Sequence, residues 1–203
     1  MATQENVIKT CKINDEVFKE LVEGVKHCVD KSDSRPVLRY IQVAVKEKSV
    51  VFTALDGFRA GRTEHEQDNA DCFTCYIQPF PYKPLGGMPS DVVIEYDGKT
   101  AWVEFLTVFG KLRYAFKQPD AVFPDMEKIY ADNRKAQDRT NYGNGYYIAQ
   151  ACKALGRLTD KQHTTAIHTP NEKTLAFILS AKGNAITNEQ LILPVRVYDK
   201  EDD

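Results

Sequence analysis

The chain has 203 residues, 42% hydrophobic and 28% charged, a globular composition long enough for one large domain or two small ones. Lys and Arg number 27 against 29 Asp and Glu, a formal charge of -2. That excludes a uniformly basic nucleic-acid binder but leaves room for a basic stripe on an acidic body. No apolar run approaches the roughly 18–20 residues of a membrane span, and the opening Met-Ala-Thr-Gln-Glu-Asn lacks the regions of a signal peptide. A soluble, cytoplasmic protein with no membrane partner is the expectation.

The spacing predicts a first helix over residues 14–30. Asn14 or Asp15 can cap it, and Phe18, Leu21, Val22, Val25 and Val29 form one apolar stripe. Pro36 ends the helical stretch, because proline disfavours helical geometry in the residue before it. Strands are predicted at 37–45 and 49–54 around the turn Lys46-Glu47-Lys48, with a third from Phe58 after the turn Leu55-Asp56-Gly57. The middle is β-rich, with strands at 72–78, 91–96, 100–105 and 111–117. Its segment 79–89 holds too many prolines and glycines for a helix. Residues 132–142 are polar and read as a loop. A second helix is predicted over 147–158, with Ile148, Ala151, Cys152 and Leu155 on one face. Strands follow near 164–169, 175–181 and 190–197, and 200–203 is an acidic tail.

Five cysteines, an odd number without an export signal, imply reduced thiols. Cys72 and Cys75 make a Cys-x-x-Cys pair inside a strand, where residues three apart face opposite sides. No second pair follows at zinc-ribbon spacing, and His163 and His168 also diverge, so no metal or other cofactor is expected. Phosphate-loop, nucleophile-elbow and His-Glu-x-x-His motifs are missing from the text, and no enzyme activity is expected.

An internal echo carries more information. Residues 47–53 (Glu-Lys-Ser-Val-Val-Phe-Thr), 98–104 (Gly-Lys-Thr-Ala-Trp-Val-Glu) and 172–178 (Glu-Lys-Thr-Leu-Ala-Phe-Ile) share a turn, a Lys, a Ser or Thr, and a strand. Three hairpins obeying the same turn chemistry would give this pattern, and so would a module of helix plus strands present three times, its middle helix lost.

Three segments then resemble the bacterial sliding clamp, the β subunit of DNA polymerase III. They are 34–45 with 51–60 (Val-Phe-Thr-Ala-Leu-Asp-Gly-Phe-Arg-Ala), 123–129 (Phe-Pro-Asp-Met-Glu-Lys-Ile) and 191–197 (Leu-Ile-Leu-Pro-Val-Arg-Val), in the family's order. The resemblance implies an α+β fold, DNA-clamp-like, with helices on one face of curved, mainly antiparallel sheets and about three repeated modules. It implies a complete clamp-like domain over 1–122 with a degenerate second helix, a linker over 123–145 and a half-domain over 146–203. The function it implies is a replication or repair accessory that tethers polymerase or other clamp-binding proteins to DNA. The alternative is an adaptor or decoy that binds partner peptides without encircling DNA. A nucleotide-binding or small-molecule enzyme on an unrelated α+β fold is a third reading, which a deep polar cleft would mark.

By matching positions, a partner-peptide pocket would be walled by Leu55, Gly57, Phe58, Arg59 and Ala60, floored by Pro124 and Ile129, and closed by Leu191, Leu193, Pro194 and Val195. Plain core packing would produce the same apolar alternation in residues 191–193. Contact with double-stranded DNA, independent of sequence, would come from Lys19, Lys26, His27, Lys31, Arg35, Lys153, Arg157 and Lys161 on or near the helices. A solvated helix face carries the same residues. A twelve-module ring would need four chains, so a homo-oligomer is among the expectations.

Overall fold

A computed structural model of the chain describes residues 7–32, 35–82, 90–134, 144–155, 166–168, 176–182 and 185–193. Two antiparallel sheets hold it together. The first has strands β1 (Lys9–Asn14), β6 (Asp91–Tyr96), β7 (Thr100–Thr107) and β8 (Gly110–Lys117), in that spatial order. The second runs through seven strands: β5 (Phe73–Ile77), β2 (Ile41–Lys46), β3 (Ser49–Leu55), β4 (Arg59–Glu66), β11 (Ile186–Ile192), β10 (Phe177–Lys182) and β9 (Ala166–His168). Strand β4 from the first part of the chain pairs antiparallel with β11 from the last, placing Arg62 opposite Glu189 and Ala60 opposite Leu191. The α+β class expected from the sequence is the class observed.

Helix α1 (Asp15–Val25) is capped by Asn14, whose side chain accepts from the amides of Glu16 and Val17. Its stripe of Phe18, Leu21, Val22 and Val25 is buried between the two sheets, against Cys11, Ile13, Val92 and Ile94 on one side and Val43, Val50 and Phe52 on the other. Helix α3 (Gly145–Leu155) lies beside α1 on the same face of the large sheet, burying Ala151 and Leu155 against Leu179, Ala181 and Ile192. Strand alternation divides β11. Asn188, Gln190 and Ile192 face the helices, whereas Glu189 and Leu191 face the opposite, outer side.

Between β5 and β6 no helix is present among the described residues. Phe80 and Tyr82 fill the space instead, with ring centroids 4.7 Å (Phe80 to Tyr114), 5.2 Å (Tyr82 to Phe18) and 4.8 Å (Tyr82 to Phe105) apart. Phe80 and Tyr82 thus form an aromatic plug against α1 and the β7–β8 hairpin, next to residues 83–89, which lie outside the described ones.

The structure differs from the sequence reading at several elements. The first helix stops at Val25 and tightens into a 3-10 turn over Lys26–Cys28. Residues 36–39 form another 3-10 turn rather than the start of a strand, with Pro36 at its first position, where a fixed φ and a missing amide cost nothing. Helix α2 (Met126–Arg134) occupies residues expected to lie in a linker, its last turn inside the predicted loop; residues 135–143 lie outside the described ones. Strand β1 is an addition, and β11 begins at Ile186, before the predicted start at 190. No helix among the described residues is long and apolar enough to cross a membrane.

Candidate functional site

Where β4 meets β11, the outer face of the large sheet gathers an apolar cluster. Leu55, Ala60 and Leu191 are buried there with Leu38, Ala176 and Ile178, under Phe123, Met126 and Tyr130. Val37, Tyr76 and Ile129 pack at its margin. Helix α2 lies across this face and is tied to the sheet by polar contacts. Tyr130 Oη donates to the Glu189 carbonyl at 3.2 Å. Glu127 accepts from Lys46 at 2.9 Å and lies 3.4 Å from Arg62. Arg62 also meets Glu189 at 3.2 Å and Glu64 at 2.9 Å. Burial alone would lower the Arg62 pKa, but these carboxylates outweigh it and hold the guanidinium charged.

At the end of the cluster the chain exposes apolar side chains. The turn after β3 needs Gly57, whose φ is +90°. Asp56 holds the turn, accepting from the amides of Phe58 (3.0 Å) and Arg59 (3.1 Å). This leaves Phe58 59% exposed at the tip. The Leu193 amide donates to the Phe58 carbonyl at 2.8 Å, so Leu193, 41% exposed, is fixed beside it. Phe58 and Leu193 therefore form an exposed apolar pair at the rim of a buried apolar cluster, where β4 meets β11.

The structure thus brings Leu55, Ala60, Ile129 and Leu191 into one cluster, with Phe58 and Leu193 at its rim. Pro124 is half-buried at the entry to α2, between Phe123 and Met126. Arg59 turns the other way. It pairs with Asp56 at 2.9 Å, lies over the Tyr147 ring at 4.5 Å and donates to Gln150, fastening the turn to α3 on the helix side. Pro194 and Val195 lie outside the described residues. Leu38, Tyr76, Phe123, Met126 and Tyr130 belong to the cluster without having been singled out in the sequence. The signal available was the aromatic and Met spacing of residues 123, 126 and 130, which fits one helix face.

The helix side carries mixed charge. Lys19 and Lys153 are exposed, as is Lys31 beyond the 3-10 turn. Lys26 is paired with Glu23. Arg35 is engaged with Asp30 at 3.1 Å and with the Asp56 carbonyl at 2.6 Å, so it braces the Gly57 turn. Arg157 and Lys161 lie outside the described residues. A cleft of about 590 Å³ beside α1 and α3 is lined by Glu16, Lys19, Glu20, Glu23, Gly24, Ala154 and Asn188. Burial, reinforced by neighbouring Glu16, raises the Glu20 pKa. Cys72 is exposed and Cys75 buried, as strand alternation requires.

No family model and no curated protein matches the chain. Solved structures do. The DNA polymerase III β subunit of Thermotoga maritima superposes with a TM-score of 0.71 at 12% identity, over 98% of this chain and 68% of that one. The β subunit of Pseudomonas aeruginosa gives 0.69 at 12% identity, over 97% and 69%. The C. crescentus β sliding clamp gives 0.69 at 10% identity, over 97% and 68%. The chain has the sliding-clamp fold in a form about two thirds as long.

Proposed function

We propose that the protein is a sliding-clamp-like accessory of DNA replication or repair, a non-enzymatic scaffold that holds partner proteins by short peptides. The observation that carries this reading is the Phe58–Leu193 pair, exposed above the buried Leu55, Ala60 and Leu191 at the β4–β11 joint. Two modules supply one apolar rim there, and apolar anchors seated in such a rim provide most of a bound peptide's affinity. Partners suited to it carry a glutamine and several apolar anchors, as the resemblance to the clamp family implies. The test is fluorescence anisotropy with a labelled synthetic peptide of that composition. Leu193→Asp should weaken binding at least tenfold while circular dichroism stays unchanged. Unchanged affinity would overturn the reading.

A second reading keeps the peptide site but dispenses with DNA encirclement. It is favoured by the Glu16, Glu20 and Glu23 carboxylates on the helix side, which offset Lys19 and Lys26. Tethering to DNA predicts duplex binding that weakens steeply with salt. Complete lack of duplex binding at low salt would select the adaptor reading.

A further inference from the structure

Phe58 is 59% exposed, so its place at the rim is set by what holds the turn beneath it. Within the turn, one oxygen of the Asp56 carboxylate accepts from the amides of Phe58 and Arg59, and the Asp56 amide donates to the Arg59 carbonyl at 3.2 Å. The other carboxylate oxygen accepts from Arg59 Nε at 2.9 Å. That guanidinium is gripped on two further sides by α3. Its Nη1 donates to Gln150 Oε1, and its central carbon lies over the Tyr147 ring at 4.5 Å. Gln150 is itself held, its Nε2 donating to Tyr146 Oη at 2.6 Å.

The Arg59 and Asp56 side chains are only 12% and 14% exposed. Their ion pair and the cation–ring contact are therefore largely shielded from water, where both are stronger than at an open surface. Helix α3 has its own anchorage. Ala151 and Leu155 are buried against Leu179, Ala181 and Ile192, with Tyr147 and Ile148 packed at the margin. Tyr147 and Gln150, three apart on one helix face, thus offer Arg59 a fixed seat on the side of the sheet away from the apolar cluster. Two other ties reach the turn, from Arg35 to the Asp56 carbonyl and from the Leu193 amide to the Phe58 carbonyl. Both grip the backbone, whereas Arg59 orients the carboxylate that caps Phe58.

We infer that Tyr147 and Gln150 are positioning residues for the peptide rim: through Arg59 and Asp56 they hold the Phe58 turn in its binding shape before a peptide arrives. The inference rests on the peptide site proposed above. A turn that must be ordered during binding loses affinity to that ordering, and a turn already formed does not. Residues of α3 that face away from the peptide therefore set its affinity without touching it.

The test compares variants of the full chain by hydrogen exchange without peptide and by anisotropy with a labelled, glutamine-bearing apolar peptide. Tyr147→Leu keeps apolar bulk on α3 but removes the ring face; Tyr147→Phe keeps the ring face. Tyr147→Leu should speed exchange at the Phe58 and Arg59 amides and weaken peptide binding about threefold to tenfold. Tyr147→Phe should match the wild type in both. Gln150→Ala, at a half-buried position where alanine suits a helix, should move both readouts in the direction of Tyr147→Leu. Wild-type affinity in Tyr147→Leu and Gln150→Ala, while Leu193→Asp loses binding, would overturn the inference and leave the peptide site standing. Equal loss in Tyr147→Phe and Tyr147→Leu would also overturn it, by tracing the effect to the packing of α3. Unchanged affinity in Leu193→Asp would overturn the peptide site itself, and the inference with it.

Discussion

Gly57 sits in the left-handed region with the Arg35 guanidinium packed against it, so an added Cβ meets both a strained backbone and that side chain. Gly57→Ala should cost about 1–2 kcal/mol, read as a lower urea midpoint; an unchanged midpoint would remove the turn from the account. The turn was legible because Asp-Gly marks it. The roles of Arg35 and Arg59 were not, since a charged residue beside a helix looks the same whether it faces phosphate, solvent or a neighbouring turn. Here one braces the turn and the other stacks on Tyr147. Thiol chemistry belongs to this scale too. Burial pushes Cys11 up to about 12 and raises Cys28 and Cys75 further, whereas Cys72 and Cys152 are exposed. At pH 8 a thiol reagent should label Cys72 and Cys152 in the native protein and the other three only after unfolding. Rapid labelling of Cys28 would contradict the packing between α1 and β11.

Helix α2 and the aromatic plug are the elements the sequence concealed. Residues 126–134 hold only a few apolar positions, and their helix depends on a sheet face built from segments about 70 residues before and 60 after it. Strand β1 was hidden for a similar reason, its partner β6 lying some 80 residues away. The expectation of no helix over 79–89 rests on its prolines and glycines, and residues 83–89 lie outside the described ones; that Phe80 and Tyr82 would pack on Phe18 and Phe105 could not be read there. Phe80→Ala should destabilise by about 2 kcal/mol through lost burial and lost ring contacts. The hydrogen bond from Lys46 to Glu127, opposed by burial and helped by Arg62, holds that carboxyl below its usual range. Its contribution is therefore present above the ordinary glutamate pKa and fades as pH falls through the lowered value. Because Glu127 is largely exposed, Glu127→Gln should remove only about 0.5 kcal/mol at pH 7, with a shallower acid limb on the stability curve.

At the scale of the molecule, the seven-stranded sheet runs from β2–β5 into β9–β11 without a break, sealed by Arg62 opposite Glu189. The chain should therefore unfold in one calorimetric transition, and two separated transitions would contradict this coupling. Arg62→Ala, which leaves three carboxylates around a vacated site, should cost about 3 kcal/mol. The echo at 47–53 and 98–104 falls on the starts of β3 and β7, so these two hairpins were legible in the sequence. The joint between β4 and β11 was not visible there, because the predicted strand starts only at Gln190, and the polar Asn188 and Gln190 find their buried setting only beside α1: Gln190 donates to the Gly24 carbonyl at 2.9 Å. The joint is also where the functional proposal stands. The measurement that tests it most directly is hydrogen exchange with and without the glutamine-bearing apolar peptide. The account predicts slowed exchange at residues 56–60 and 190–193, with α1 and α3 unchanged. Protection confined to the helix side, with none at the joint, would contradict it.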